Sequence, residues 1–89
     1  MTARFLVSGL VQGVGFRHFV SRHAGRIGIA GWVQNLADGR VEVVAQGQQS
    51  SIDLLEAELR LGPRAARVET VFREEVSDEV VTANTFAAR

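Results

Sequence analysis

Cysteine is absent from the sequence, so it can form neither a disulfide staple nor a thiolate metal site. That fits a reducing compartment, and a cytoplasmic location is expected. Lysine is absent too, all 10 basic side chains being arginine. A lysine nucleophile and a nucleotide-binding phosphate loop, which needs a lysine, are thereby excluded. No apolar run approaches the ~20 residues of a membrane-spanning helix. The first residues, Met1 to Leu10, lack the basic lead-in and long apolar stretch of a signal peptide. The 10 acidic residues offset the 10 arginines to a formal net charge of zero, which removes the simplest argument for a nucleic-acid partner.

What is present suits a packed core. Hydrophobic residues make up 46% of an 89-residue chain, enough for one domain over residues 1–89 and too little for two. A chain this short has a modest stability margin, so most of its apolar residues should serve a single core. It starts at Met1 and stops soon after its last predicted element, which favours an independent protein over an accessory domain.

The hydrophobic pattern changes period several times. Ala3–Gly9 reads as a strand with Phe5 and Val7 on one side and Arg4 and Ser8 on the other. Gly9–Gly15 is a glycine-rich loop. From Phe16 the spacing is helical: Phe16, Phe19, Val20, His23, Ala24 and Ile27 share a face, and Gly28 terminates it. Gly31–Asn35 and Arg40–Gln46 read as a hairpin around Leu36-Ala37-Asp38-Gly39. Ser50 or Ser51 is the expected cap of a second helix, with Ile52, Leu55 and Leu59 inward, joined by Leu54 and Leu61, and Gly62-Pro63 as its end. Val68–Phe72 reads as a fourth strand running on to Val76, Ser77-Asp78-Glu79 as an exposed turn, and Thr85–Ala88 as a short fifth strand at an edge. The order is βαββαβ, the α+β ferredoxin-like sandwich of an antiparallel sheet with two helices on one face. That arrangement alone implies no function.

Two segments hold chemically capable residues. Gly9-Leu10-Val11-Gln12-Gly13-Val14-Gly15-Phe16-Arg17 joins a strand to a helix. Glycines let such a loop take positive φ, successive N–H groups can form an anion nest, and the helix start adds unpaired N–H groups. Arg17 falls in the first helical turn, where its planar fork matches phosphate oxygens in pairs. The second segment, Gly31-Trp32-Val33-Gln34-Asn35, puts Val33 and Asn35 on one face of a strand and Trp32 and Gln34 on the other. An amide at position 35 can accept from water and donate to a phosphoryl oxygen. Taken alone, each segment reads more simply as structure: a turn with a surface arginine, and an asparagine capping its own backbone.

Together the two segments closely resemble the acylphosphatases. The likeness lies in G-x-V-Q-G-V-G-F-R at Gly9–Arg17 and G-W-V-Q-N-x-x-x-G-x-V-x-x-x-x-x-G at Gly31–Gly47, at the separation that family has. The element order agrees along almost the whole chain. After Val68 the match weakens, and Phe86-Ala87-Ala88-Arg89 departs from the aromatic and basic final strand common in the family. The resemblance implies hydrolysis of acyl phosphates to a carboxylate and inorganic phosphate. It implies that Gln12, Gly13, Val14, Gly15, Phe16 and Arg17 bind the phosphate, that Arg17 and Asn35 are catalytic, and that Asn35 positions water. It further implies a monomer without metal or cofactor, whose ligands are a small acyl phosphate and inorganic phosphate or sulfate.

Other residues read more blandly. His18 should point away from Arg17, and His23 should be a satisfied core or boundary residue. Neither has carboxylates at metal-ligand spacing. Trp32 and the five phenylalanines are expected in the core, and Glu69, Glu74, Glu75, Asp78 and Glu79 on a solvated acidic surface. An RNA-binding module of the same fold would need exposed aromatics on central strands, and Arg40–Gln46 has none.

Overall fold

Alternating strands and helices close into one sheet in a computed structural model that describes residues 1–89. The elements are β1 (Thr2–Leu10), α1 (Phe16–Ile27), β2 (Ala30–Asn35), β3 (Val41–Gln46), α2 (Gln49–Leu61), β4 (Arg67–Val76), a 3-10 turn at Asp78–Val80, and β5 (Phe86–Ala88). The strand order is β4-β1-β3-β2-β5. The first four strands pair antiparallel throughout. β5 exists at the edge, as expected, but lies parallel to β2, which makes the sheet mixed. β4 ends and β5 begins at the same end of the sheet, so residues 77–85 run along that end from one edge to the other, where Asp78 accepts from Thr2 and Gln46.

Strand parity decides what is buried. Ala3, Phe5 and Val7 of β1, Val33 of β2, and Val41, Val43 and Ala45 of β3 pack against Phe16, Val20 and Ala24 of α1 and Ile52, Leu55 and Leu59 of α2. Both helices therefore cover one face of the sheet, the ferredoxin-like arrangement. Phe19 and Ile27 lean on this core from the margin, and Gly28 ends α1 by donating its N–H to the Ala24 carbonyl at 2.9 Å.

Several local expectations change. α2 begins earlier, with Gln48 extended and accepting from the Ile52 N–H at 3.0 Å, so Ser50 and Ser51 lie inside the first turn and neither caps it. Leu54 and Leu61 are 60% and 73% exposed and do not join the inner stripe, because the stripe at 52, 55 and 59 already faces the sheet and they fall on its flank. Phe72 is also exposed. Trp32 lies on the open face of the sheet, opposite the core.

That open face is organised around one carboxylate. Glu42 is only 8% exposed and accepts from Arg4 Nε at 2.7 Å, Trp32 Nε1 at 3.1 Å and Gln34 Nε2 at 2.7 Å. Arg4 also reaches Glu74 on β4 at 3.4 Å, so one network spans four strands. Burial alone would raise the Glu42 pKa, but the hydrogen bonds from Trp32, Arg4 and Gln34 and the charge of Arg4 outweigh it and hold the carboxyl below its ordinary value of 4.5. A depressed carboxylate pKa contributes stability that is present above the unfolded value and is lost as pH falls through the folded one. Glu42→Gln should therefore lose about 1–3 kcal/mol at neutral pH, the usual scale for hydrogen bonds to a charged group. The gap from the unsubstituted protein should narrow once pH drops below 4.5. Urea denaturation across the acid range checks this, and a gap constant with pH would refute the role given to the carboxylate.

Candidate active site

The loop between β1 and α1 is pinned from inside at both ends. Val11 and Phe16 are buried in the core, and Val14 packs against it between them. The residues that alternate with these anchors, Gly13 and Gly15, are exposed with φ of 74° and 80°. Side chains with a Cβ reach that left-handed region only at a cost of about 1 kcal/mol or more, so glycine sets the path of the loop. Nothing lies within 4 Å of where a Cβ would sit at either position, so the demand is conformational and not steric.

Gly15 is also the N-cap of α1. No side chain caps this helix start, and its first turn contains no acidic residue. The orphan N–H groups and the positive end of the helix dipole are thus left uncompensated by protein carboxylates. They border a cavity of about 180 Å³ lined by Val11, Gly13, Gly15, Phe16, Arg17, His18 and Asn35. A water molecule occupies about 30 Å³, so this volume suits a small anion with a little water.

Arg17 and Asn35 meet here from distant parts of the chain. Arg17 is exposed, and its Nη1 donates to the main-chain oxygen of Arg89 at 2.7 Å. Arg4, Arg40, Arg60 and Arg73 are each paired with side-chain carboxylates, whereas Arg17, like Arg22, Arg26, Arg64, Arg67 and Arg89, has none. Its remaining N–H groups are available to an anion. Asn35 ends β2 on the helix-facing side. Its Oδ1 is buried yet has no hydrogen-bond partner. An unpaired buried acceptor is costly, and such atoms in a native fold call for a bound partner.

Gln12 explains why these segments stay together. Its Nε2 donates to the carbonyl oxygens of Leu36 at 2.8 Å and Arg40 at 2.9 Å. Those carbonyls belong to the β2–β3 turn, which is closed by Leu36 N–H to Arg40 oxygen and Gly39 N–H to Leu36 oxygen. Asp38 accepts from the Arg40 N–H and guanidinium, and these bonds hold its carboxyl below the ordinary range.

Of the residues singled out from sequence, Gly13, Gly15, Phe16, Arg17 and Asn35 line the cavity. Gln12 and Val14 do not: the side chain of one is committed to the hairpin and that of the other to the core. Val11 and His18 line it unanticipated. His18 was expected to face away from Arg17, but at the first helical turn neighbouring side chains both overhang the helix end. His23 is the boundary residue expected, with its ring 4.5 Å from Phe19 and Nε2 3.5 Å from Glu58. No cluster of three His, Cys, Asp or Glu side chains is placed to hold a metal ion.

Similarity to known proteins extends over nearly the whole chain. The family model described as acylphosphatase matches residues 3–87. An acylphosphatase of Koribacter versatilis (strain Ellin345) is 54% identical over 78 residues, 88% of this chain and 71% of that protein. The solved structure of an acylphosphatase from Coxiella burnetii superposes with a TM-score of 0.90 at 40% identity, covering 99% of this chain and 90% of that one. That of an acylphosphatase from Bacillus subtilis gives 0.86 at 32%, covering 99% and 97%.

Removing the Gln12 amide tests the architecture independently of any reaction. Gln12→Ala should cost about 1–2 kcal/mol, two ordinary hydrogen bonds. Hydrogen exchange should quicken in residues 36–40 while the helices stay protected. Unchanged exchange in the turn would refute the bridging role.

Proposed function

The chain belongs to the acylphosphatase family, and from that premise we propose that residues 1–89 form one domain that hydrolyses acyl phosphates, with Arg17 and the loop amides holding the phosphoryl group and Asn35 holding the attacking water. The observation that carries this reading is the convergence on one small cavity of a guanidinium without a side-chain carboxylate partner, an uncapped helix start and an unpaired amide oxygen.

The chemistry suits these groups. The leaving group is a carboxylate, whose conjugate acid has a pKa of about 4–5, so it departs as an anion without a proton donor. Phosphoryl transfer passes through a loose transition state with charge on the equatorial oxygens. Main-chain N–H groups and the Arg17 fork stabilise that charge by hydrogen bonds already in place. Asn35 Oδ1 accepts from a water O–H and orients its oxygen towards phosphorus. The new P–O bond forms from water as the bond to the acyl oxygen breaks, and that electron pair leaves with the carboxylate. The proton of the attacking water passes to a phosphoryl oxygen of the substrate itself. Alkyl phosphates, with alkoxide leaving groups, lack this advantage and should be poor substrates.

The open sheet face does not favour the RNA-binding alternative. Its two middle strands, β1 and β3, carry no aromatic there, a buried carboxylate sits at the middle, and of the aromatics flanking them Trp32 on β2 is occupied by Glu42 and Arg89, which leaves Phe72 on β4 alone. No helix is long and apolar enough to cross a membrane. We read the protein as a cytoplasmic monomer on the family likeness and the absence of cysteine.

Purified protein should hydrolyse benzoyl phosphate, unaffected by chelator, and should leave p-nitrophenyl phosphate almost untouched. Arg17→Gln should lower kcat/KM about a hundredfold or more, the scale for losing an oxyanion donor, and weaken inhibition by inorganic phosphate while circular dichroism is retained. Asn35→Ala should keep KM and lose kcat by a similar factor. Unchanged phosphate affinity in the first variant, or normal turnover in the second, would sink the respective assignment.

A further inference from the structure

Arg89 is fixed at three points. Its N–H donates to the Val33 oxygen at 2.8 Å, its main-chain oxygen accepts from Arg17 Nη1 at 2.7 Å, and its guanidinium lies over the Trp32 ring, 4.0 Å from the centroid. Trp32 in turn donates its indole N–H to Glu42, the carboxylate that also gathers Arg4 and Gln34. Trp32 is on the sheet face opposite Asn35 and does not line the cavity. A continuous set of contacts nonetheless runs from the buried carboxylate through the indole and Arg89 to the guanidinium of Arg17.

We propose that Trp32 is a positioning residue for Arg17: seated by Glu42, its ring holds the Arg89 side chain, and the Arg89 main-chain oxygen then keeps the Arg17 guanidinium over the cavity. The proposal rests on the reading of Arg17 as the phosphate ligand. β5 is three residues long and pairs with β2 only through Gly31–Phe86, Trp32–Ala87 and Val33–Ala88. So short a pairing at a sheet edge frays readily. The cation–π contact just beyond it is what fastens the segment on the far side of the sheet. A free Arg17 side chain samples many rotamers, and holding one N–H lowers the entropy lost when an anion binds. Trp32 therefore acts on affinity and not on the chemical step.

The test compares Trp32→Leu, Trp32→Phe and Arg89→Ala with the unsubstituted protein, using benzoyl phosphate turnover and inhibition by inorganic phosphate. Trp32→Leu and Arg89→Ala should each raise KM and the phosphate inhibition constant about two- to fivefold, the equivalent of a 0.5–1 kcal/mol cation–π contact, with kcat little changed. The double variant should be no worse than either single one. Trp32→Phe keeps a ring face and should restore most of the affinity. Because Trp32 is the only tryptophan, Arg89→Ala should also change the intrinsic fluorescence, a reading that needs no activity. Arg89→Ala carries the test if Trp32→Leu does not fold. Unchanged KM and phosphate inhibition in both, multiplicative losses in the double variant, or a fall confined to kcat would overturn the proposal. A protein that neither turns over benzoyl phosphate nor binds phosphate without substitution would instead overturn the hydrolase reading, and the proposal with it.

Discussion

Two hydrogen bonds from a single amide nitrogen join segments 24 and 28 residues apart: Gln12 Nε2 donates to the Leu36 and Arg40 carbonyls. Both donor sites of that amide are used, and both acceptors lie in the turn that follows Asn35. The bridge adds to the core packing, and to the link through Arg89, a direct tie between the segments that carry Arg17 and Asn35. With it, the loop carrying the helix start and the hairpin carrying the amide form one rigid border around the cavity. Groups that must act together on a small anion gain from such fixation because less freedom is lost on binding.

The division of the ten arginines follows the same logic. Arg4 is gathered into the open-face network, and Arg73 joins Asp53 and Glu56 of α2 to β4. Arg40 and Arg60 pair locally with Asp38 and Glu56. Arg17 has no side-chain carboxylate and donates to the main-chain oxygen of Arg89. A guanidinium already neutralised by a carboxylate would have to give up that partner to bind an anion. Four arginines are neutralised by side-chain carboxylates, and of the six that are not, Arg17 is the one that borders the cavity. The uncapped helix start beside it obeys the same rule, since an acidic residue in that turn would repel the ligand.

The strands and helices were legible because each half-buried element repeats at its own period, with Phe5 and Val7 alternating and Phe16, Val20 and Ala24 stepping round a helix. Arg17 and Asn35 were legible as a pair only through the family resemblance of the glycine-rich loop and the hairpin together, since each segment alone reads as structure; both line one cavity. The rest depended on three-dimensional context. Leu54 and Leu61 are apolar at nearly helical spacing, and only the placement of α2 over the sheet puts them outside. Ser50 and Ser51 are good capping residues, but an extended Gln48 starts the helix before them. The direction of β5 cannot be read from three residues of strand, since parallel and antiparallel edges share one alternation. Gln12 was read with the loop amides, and the separate role of its side chain was hidden because that side chain bonds a turn whose position no local pattern reveals. The role of Arg89 was hidden likewise, since its three contacts all lie on β2 or at the start of α1.

Cavity size bears on how selective such a site can be. About 180 Å³ is well below the usual ~300–1,000 Å³ of small-molecule pockets. A phosphoryl group and one water leave little room, so the acyl portion of a substrate must extend into solvent or lie across the rim. Its only contacts there would be exposed residues such as His18 and the glycine loop itself. Discrimination among acyl groups by burial is then small, because the free energy of an apolar contact scales with the area removed from water. Reactivity must instead be sorted by the leaving group's own acidity. If Arg17 and Asn35 act as proposed, stabilising charge and holding a water, the site selects anhydrides over esters by the acidity of the leaving group where it cannot do so by shape.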